Sequence, residues 1–455
     1  MIILPQSIAH VQQLIQPGEN YYLVGGAVRD ALLNKCNNDL DIICPGGTQK
    51  IARRLADQTS GAFYILDKER NTSRVIINES NGDRIVFDFT QLRGGSLEAD
   101  LRERDFTINA MAVNLTDPVH VIDPLKGGRD LLEKWLRPCS GSSFRDDPLR
   151  VIRAIRYSVA LDLKMESSTI QELKETVVNL DQISKERKRD EFFKILGRGK
   201  TSVSVQLLHS FGILPFLGIE NLTNFAKVLQ RLRVLDSFMS YLGNDSSLLK
   251  RDYFQLASFI SGLGKQRKNL SNYLAQPNNS YRTRKDLDHL GAFLWDTSHV
   301  DECEVFKKLA LSNDESTHLY ILLKNRNWLH EFVENGGVLD NRIIFQYFKR
   351  LGDAGLDLAL LTLADTASVV TAELNHDLWL LELEVCGRLI ETWFEHPEVV
   401  DPKMLLSGTD LLIEFGLTPG PLIGQLLENL REEQAAGEVL TRQEALDWVE
   451  EKKLK

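Results

Sequence analysis

Two aspartates stand two positions apart in residues 37–44, which read NNDLDIIC. The apolar residues around Asp39 and Asp41 predict a strand, and residues at i and i+2 of a strand point to the same face. Carboxylates that close repel each other, and burial would raise the pKa of one of them unless a cation or strong donors compensate. The pair therefore indicates that a cation or a set of hydrogen-bond donors lies nearby.

A glycine pair precedes the aspartates in the stretch YLVGGAVRDALL. A strand is predicted to end at Gly25 and Gly26, and a helix carrying Arg29 is predicted to follow. Such a turn lets the backbone approach a phosphate, although a plain strand-to-helix turn is the alternative. The dinucleotide and P-loop fingerprints are both missing. Combined with Asp39 and Asp41, the turn predicts a site for a triphosphate and Mg²⁺, because this ion prefers oxygen ligands.

Two further groups of polar residues could join this site. Asp88 lies in the predicted strand RIVFDF and either reaches the same sheet edge or faces solvent. The stretch LRERDFTINAMAV carries Arg104, Asp105 and Asn109. The spacing of four between Asp105 and Asn109 brings both to one side of a helical turn, where they could bind a sugar hydroxyl or a phosphate. An N-cap followed by an ordinary helix is the alternative.

A helical pattern in FRDDPLRVIRAIRYS places Asp147, Arg150 and Arg153 at i, i+3 and i+6. Since Asp accepts and Arg donates hydrogen bonds, these side chains could recognise the edge of a base. The alternative is an intrahelical salt bridge worth a few tenths of a kcal/mol. Farther along, ISKERKRDEFFKIL places Arg187 and Glu191 at i and i+4, which by itself indicates a charged helix surface.

The elements that hold these residues change in type along the chain. Short strand patterns alternate with helices up to about residue 122, and helical periodicity dominates afterwards. The 455 residues, with 43% hydrophobic and 26% charged residues, predict a globular protein of several domains. A net charge of −10 argues against indiscriminate coating of nucleic acid, so an RNA partner requires a local basic surface. Five scattered cysteines indicate reduced thiols. With no membrane span or secretory signal expected, a cytoplasmic location follows.

The order of the motifs resembles that of a known family. LVGGAVRD, DLDI, RDFTINAMA, DPLKGGRDLLEKWLRP, DDPLRVIRAIRYS and ISKERKRDEFFKIL follow one another over roughly residues 21–200. They are similar to the motifs of class II tRNA nucleotidyltransferases and bacterial poly(A) polymerases, of the polymerase-β-like nucleotidyltransferase superfamily. The stretch LLSGTDLLIEFGLTPGPLIGQLLENL adds a weaker likeness near the C-terminus.

The resemblance implies a role for each motif. It implies that Gly25, Gly26 and Arg29 bind the triphosphate and that Asp39 and Asp41 bind the metal ion. It implies that Asp105 and Asn109, with Arg104 beside them, recognise the ribose. It implies that Asp147 and Arg150, with Arg153 one turn on, recognise the base, and that Arg187 and Glu191 support the helix that carries this base-recognising pair.

The implied fold is an α+β nucleotidyltransferase head with a mixed sheet, followed by all-α neck, body and tail domains. We expect the head in residues 1–139, the neck in 140–200, the body in 201–395 and a tRNA-binding tail in 396–455. The implied reaction is attack of a tRNA 3′ hydroxyl on the α-phosphate of CTP or ATP, assisted by Mg²⁺. The partners are tRNA lacking all or part of its 3′ CCA, and CTP or ATP. The sequence gives no prediction of oligomeric state.

Departures from the family pattern bear on which nucleotide is added. Glu103 replaces the first Arg of the usual Arg-Arg-Asp motif, and Asp146 replaces the Glu of Glu-Asp-x-x-Arg. CCA-adding relatives carry a flexible loop between the strand of Asp88 and the motif of Asp105. In this sequence the connection between the two is very short. In the family a short loop goes with addition of CC alone, so we expect a CC-adding enzyme. A poly(A) polymerase and a catalytically inactive RNA-binding relative are the alternatives.

Overall fold

The computed structural model describes most of the chain and divides it into two compact units. The first unit comprises residues 1–187 with 211–213, and the second comprises 188–210 with 214–455. The described residues are 2–79, 82, 84–220, 222–243, 253–277, 282–369 and 375–453. Within these ranges, every helix is too short or too polar to cross a bilayer. The finer division at residues 139, 200 and 395 stays a prediction.

A seven-stranded mixed sheet forms the centre of the first unit, in the order β3-β4-β5-β2-β1-β6-β7. Only β2 and β5 run parallel among the described pairs, and each of the others is antiparallel. All seven strands lie before residue 123, as the strand patterns in the sequence predict. Their bounds are β1 Tyr22–Val24, β2 Asp39–Cys44, β3 Ala62–Asp67, β4 Thr72–Asn78, β5 Arg84–Gln91, β6 Ala112–Asn114 and β7 Val121–Ile122.

The alternation of β2 decides which side of the sheet carries chemistry. Leu40 and Ile42 are buried in the main core of the first unit, together with Phe87 from β5. Asp39 and Asp41 point the other way and are exposed. Because side chains alternate along a strand, the apolar residues fix the register and force both carboxylates onto the opposite face.

Helices cover the core side of this sheet and continue beyond it. The helices of the first unit are α1 Ile8–Gln12, α2 Gly26–Leu32, α3 Thr48–Thr59, α4 Leu97–Arg102, α5 Gly127–Glu133, α6 Ser143–Asp146, α7 Arg150–Leu161 and α8 Ser167–Thr176. The next helix, α9 Lys185–Phe193, contains the boundary between the units. The α+β head predicted from the sequence is thereby confirmed.

One helical prediction was wrong at its start. Asp147, Arg150 and Arg153 were expected along one helix, but α7 begins at Arg150 and Asp147 has extended φ and ψ angles of −145° and 96°. The cause is Pro148, because a proline disfavours helical angles in the residue before it. Asp147 therefore lies just ahead of the helix, with its carbonyl accepting the Arg150 amide at 3.0 Å.

The second unit contains helices and no extended strands among its described residues, as predicted. Its helices are α10 Thr201–Ser210, α11 Phe225–Leu242, α12 Tyr253–Leu263, α13 Arg267–Leu274, α14 Arg284–Leu294, α15 His299–Lys308, α16 Asn313–Lys324, α17 Trp328–Glu334, α18 Asn341–Leu351, α19 Ala354–Ala367, α20 His376–Glu395, α21 Pro397–Val400, α22 Gly408–Phe415, α23 Pro421–Ala436 and α24 Arg442–Lys453. Helix α19 is buried on almost all sides and packs against α11, α14, α16 and α20.

The C-terminal helices have an apolar core of their own. Leu411 of α22, Leu426 and Leu430 of α23, and Val449 of α24 pack together. A self-contained core indicates that this part holds its shape through its own contacts.

Candidate active site

Strand β2 presents both aspartates at an open face of the sheet, where a ligand has access to them. Protein surrounds the Asp41 carboxylate, and this loss of water raises its pKa to about 6, while Arg104 lowers it and Asp39 and Asp88 raise it. The side chain nevertheless reaches solvent, because the surrounding atoms form a concave wall that leaves one side open. A bound cation would favour the ionised form of this carboxylate.

Gly25 closes the turn behind this carboxylate and cannot be replaced without strain. Its φ of 73° and ψ of −139° lie where side chains are disfavoured. A Cβ at this position would lie 3.0 Å from Nη1 of Arg104 and 3.1 Å from Oδ2 of Asp41. Gly26 then opens α2 with an ordinary φ. The first glycine is therefore the one that lets the backbone pass close to the two charged groups.

Arg29 was predicted to bind the triphosphate, but its side chain is buried and engaged with protein. It is 9% exposed, its Nε donates to Oδ1 of Asp30 at 2.8 Å, and its Nη1 donates to Oδ1 of Asn109 at 2.7 Å. The amide of Asn109 in turn donates to Oδ1 of Asp105 at 3.1 Å. The predicted helical turn is not formed, because Phe106 between them is extended, but the two side chains still meet. Arg29 thus acts as a positioning residue for Asp105.

The same arginine also supports the start of β2. Asp30, held by Arg29, accepts a hydrogen bond from Nδ2 of Asn37 at 2.7 Å. The side-chain oxygen of Asn37 accepts the backbone N–H of Asp39 at 2.8 Å. A chain of hydrogen bonds therefore links the residue that positions Asp105 to the first of the two strand carboxylates.

Asp105 is a buried carboxylate whose charge is fully compensated. Nε and Nη2 of Arg153 donate to its Oδ2 at 2.9 and 2.6 Å, and the Phe106 amide donates to Oδ1 at 2.8 Å. Burial would raise its pKa, but the charge and hydrogen bonds of Arg153, with those of Asn109 and Phe106, hold the pKa below its usual value. Asp105 is therefore ionised at neutral pH and fixes the Arg153 guanidinium.

The predicted base-reading pair is held by neighbours on separate elements. Nη2 of Arg187 donates to Oδ2 of Asp147 at 2.8 Å. Arg150 donates through Nη1 to Oγ of Ser143 at 2.7 Å and through Nη2 to the carbonyl of Glu103 at 2.7 Å. These two described side chains do not form the intrahelical salt bridge that was the alternative prediction. Each is pinned by other partners and keeps hydrogen-bonding capacity for a ligand.

Asp88 lies next to Asp41, but Arg74 neutralises it. The two aspartates are paired in the register of the parallel strands β2 and β5. Nε and Nη2 of Arg74 donate to Oδ1 and Oδ2 of Asp88 at 2.8 and 2.7 Å, a bidentate ion pair. Asp88 therefore reaches the expected sheet edge without offering an uncompensated charge.

Half of the predicted site residues line one cleft of ≈310 Å³ within the first unit. The predicted residues that line it are Asp41, Arg104, Asp105, Asp147, Arg150, Arg153 and Arg187. Its lining leaves out the other described candidates, which are Gly25, Gly26, Arg29, Asp39, Asp88, Asn109 and Glu191. Glu191 is buried on α9, where Lys194 lies 3.6 Å from its carboxylate.

The cleft also contains residues that the sequence did not single out, chiefly Arg93 and Asp100. The buried carboxylate of Asp100 accepts the Arg93 amide at 3.2 Å and lies 3.5 Å from Nε of Arg104. A cation placed directly after the Asp88 strand was the available signal for Arg93. The contribution of Asp100 to the cleft depends on its contacts with Arg93 and Arg104, and the spacing of residues along the sequence does not predict them.

The donor chemistry of the cleft edge suits a divalent cation completed by substrate. Across the residues that the structure describes, no three His, Cys, Asp or Glu side chains are arranged to hold a metal ion. Asp39 and Asp41 offer carboxylate oxygens on one exposed face. Mg²⁺ is commonly bound by one or two carboxylates together with substrate phosphates and water, so these two residues fit that ion.

The head of the chain matches an established class. Residues 21–137 match a family model described as the Poly A polymerase head domain. Residues 162–220 match a probable RNA and SrmB-binding site of polymerase A, and residues 370–449 match a putative tRNA nucleotidyltransferase domain 2. The sheet with the paired carboxylates therefore lies within the segment that matches the head-domain model.

Similar proteins span nearly the whole chain. The CC-adding tRNA nucleotidyltransferase of Geobacter sulfurreducens is 29% identical over 99% of this chain and 96% of its own length. The A-adding tRNA nucleotidyltransferase of Deinococcus radiodurans is 30% identical over 94% of each. A Thermotoga maritima CCA-adding enzyme complexed with tRNA has the same fold, with a TM-score of 0.60 and 22% identity over 99% of this chain and 96% of that one. The chain belongs to the tRNA nucleotidyltransferase family.

Family membership implies catalysis that depends on a divalent metal ion. The resemblance inferred from the ordered motifs is confirmed at this level. The relatives nonetheless differ in whether they add CC, A or the whole CCA.

Proposed function

We propose that this protein adds nucleotides to the 3′ end of tRNA lacking all or part of its CCA, using CTP or ATP and releasing pyrophosphate. The observation that carries this proposal is the cleft, in which Asp41 of the sheet faces the pinned pair Asp147 and Arg150 across several arginines. The cleft therefore combines a carboxylate site suited to phosphoryl transfer with side chains suited to recognising a base. Such a cleft could select a nucleotide without a nucleic-acid template.

The cleft residues divide the work of binding a nucleoside triphosphate. Arg104 and Arg153 bring positive charge to the side of the cleft that contains Asp41, where the triphosphate would lie. Catalysis of phosphoryl transfer depends mainly on positioning and on compensation of charge, which fixed guanidinium groups supply. Asp39 and Asp41 would hold Mg²⁺, which would lower the pKa of the tRNA 3′ hydroxyl and neutralise charge on the phosphates.

Base choice follows from the donors and acceptors of the pinned pair. Cytosine and adenine each present an amino group beside a ring nitrogen acceptor on their pairing edge. Asp147 would accept from the amino group, and Arg150 would donate to the acceptor. Uracil and guanine present a carbonyl where the amino group stands, so they would leave the Asp147 carboxylate facing an acceptor. Arg187 maintains the orientation of Asp147 through its hydrogen bond.

We favour CC addition because the connection after β5 is short and is held by a hydrogen bond. It comprises five residues between Gln91 and Leu97. Gly94 and Gly95 take φ values of 64° and 77°, and the Arg93 amide is bonded to Asp100. The longer flexible loop that the family associates with the change from CTP to ATP has no counterpart in this described connection.

The remaining parts of the proposal concern RNA and location. The tRNA would lie along the helical neck, body and tail and be recognised by the shape of its backbone, as duplex RNA usually is. The cytoplasm is the compartment we propose, since tRNA precursors and nucleoside triphosphates occur together there.

Incorporation assays on defined primers test this function. We would supply tRNA ending before CCA, after C and after CC with labelled CTP or ATP, singly and together. Two cytidines should be added to the first primer and no adenosine to the last. Efficient ATP addition after CC would overturn CC specificity. Long ATP-only tails on a generic RNA would favour a poly(A) polymerase.

Variants at the carboxylates separate an enzyme from an inactive RNA-binding relative. Asp41→Asn should abolish incorporation while leaving tRNA affinity in place. Asp117→Asn is the matched control, because Asp117 is an exposed aspartate in the turn between β6 and β7. Full incorporation by Asp41→Asn would contradict metal-assisted catalysis at this site.

A further inference from the structure

Part of the carboxylate face of the sheet is open to solvent beyond the cleft. Register pairs place Tyr64 of β3, Arg74 of β4, Asp88 of β5 and Asp41 of β2 in one row across this face. Phe63, the neighbour of Tyr64, packs on the opposite side against the main core. The Tyr64 ring is 50% exposed and therefore stands on the same face as Asp41.

This open side contains a shallow groove of ≈470 Å³ whose lining includes Tyr64, Ile76, Asn78 and Arg84. We call it the β3–β5 groove. Tyr64 supplies an exposed ring, Ile76 an apolar floor, and Asn78 an amide at the end of β4. Arg84 is exposed at the start of β5, and no described residue forms an ion pair with it. An exposed aromatic ring and a guanidinium that line one groove, the latter without an ion pair among the described residues, are the groups that bind single-stranded nucleic acid.

Register rows of the sheet run from the β3–β5 groove to the proposed catalytic carboxylates. A second register row runs from Ile76 through Val86 to Asp39. Strands lie about 4.8 Å apart, so Ile76 is roughly 10 Å from Asp39 and Tyr64 roughly 14 Å from Asp41 across the sheet. A primer whose 3′ hydroxyl reaches these aspartates must send its preceding nucleotides away from them, and this groove lies on the same face of the sheet at that distance.

Charge favours the same occupant. Arg74 cancels Asp88 through their bidentate ion pair, so no uncompensated carboxylate separates the groove from Asp41 along that row. Arg84 then leaves the groove locally positive on a chain with a net charge of −10. A polyanionic strand is attracted to such a surface, and the attraction weakens with salt.

We propose that the β3–β5 groove binds the unpaired 3′ end of the RNA primer, with one base stacked on Tyr64 and one phosphate held by Arg84. This inference rests on the proposed function, because it takes the primer terminus to lie at Asp39 and Asp41. The groove positions RNA and takes no part in the chemical step.

Affinity for primers of increasing length tests the groove separately from catalysis. Binding of fluorescent tRNA ending before CCA, after C and after CC is measured on the full chain without metal ion. Tyr64→Ala should weaken binding roughly 5- to 150-fold for the primer whose unpaired end reaches the ring, since stacking a base contributes ~1–3 kcal/mol. The loss should be smallest for the shortest primer. Tyr64→Phe, which keeps the ring, should restore affinity.

Charge and folding controls complete the test. Arg84→Gln should reduce the slope of log affinity against log salt by about 0.7, the value for one phosphate contact on a single strand. Tyr64→Thr, which keeps a good strand former, replaces Tyr64→Ala if the latter does not fold. Leu132→Ala, at a site 86% exposed on α5, is the matched control and should bind all primers normally.

Each outcome decides whether the β3–β5 groove binds the RNA primer. Equal affinity of wild type, Tyr64→Ala and Arg84→Gln for all three primers would overturn it, as would a uniform loss shared by Leu132→Ala. A wild-type protein that extends no tRNA would refute the proposed function instead, and the metal-free affinities would still decide whether the groove holds RNA.

Discussion

Replacing Gly25 by alanine is the sharpest test of how the turn and the carboxylate depend on each other. Alanine at φ 73° and ψ −139° is strained by about 1–3 kcal/mol. Its methyl group would also lie 3.0 Å from Arg104 and 3.1 Å from Asp41, so these side chains must each move by a few tenths of an ångström. Misplacement of reacting groups by 1 Å costs on the order of 100-fold in rate, so we expect kcat to fall roughly 3- to 10-fold.

A second glycine with a positive φ provides the matched control. Gly47 takes φ 64° and ψ 34° ahead of α3, and a Cβ there would meet nothing within 4 Å. Gly47→Ala should therefore lose stability by about 1–2 kcal/mol without losing kcat. Single-turnover incorporation of CTP into tRNA and thermal unfolding are measured on both variants.

The comparison of the two glycine variants can refute the reasoning directly. If Gly25→Ala keeps the wild-type kcat, the turn does not control the position of Asp41 and Arg104. If Gly47→Ala loses as much kcat as Gly25→Ala, the loss reports general strain and not the local collision.

Two further predictions concern hydrogen-bonded charges. Arg187→Gln frees the Asp147 carboxylate, so the preference for CTP over UTP, measured as a ratio of kcat/KM, should fall about 5- to 10-fold, the worth of one hydrogen bond. In the second unit, burial lowers the pKa of His330, but the Asp365 carboxylate 3.6 Å away and a hydrogen bond to Glu382 raise it to about 9. His330→Gln should therefore destabilise the protein below pH 6.5, and the difference should vanish as pH rises through 9.

The sign of the His330 effect follows from its raised pKa. A proton bound more tightly in the folded state stabilises that state at low pH and stops doing so once both states are deprotonated. Thermal unfolding from pH 6 to 10 checks it, and a stability difference that grows with pH would contradict it. For Arg187→Gln, unchanged selectivity with unchanged KM would show that Asp147 needs no such support.

Local patterns in the sequence predicted the strands and the face of β2, because alternation along a strand decides which side chains are buried. The stretch DLDIIC buries Leu40 and Ile42 and places Asp39 and Asp41 together on the other face, as expected, and the structure shows that both are exposed. The helical period does not place Asp147 correctly, because Pro148 disfavours helical angles in the residue before it.

Contacts between distant elements were outside the reach of these patterns. Arg29 matched a motif for triphosphate binding, yet it pairs with Asn109, which is 80 residues away. Arg153 reaches Asp105 across 48 residues. Spacing reports neighbours on one element, and pairs of this kind depend on how separate elements pack.

The order of strands also determines when the site can form during folding. β2, which carries both aspartates, pairs with β1 and β5, and β1 must in turn pair with β6, where Val24 lies opposite Ala112. Closing such long loops lowers the conformational entropy of the chain before stabilising contacts form, so sheets of this topology fold slowly. A ribosome must therefore have released residues beyond 114 before the central strands can assemble, and until then the chain exposes unpaired strand edges on which chaperones can act.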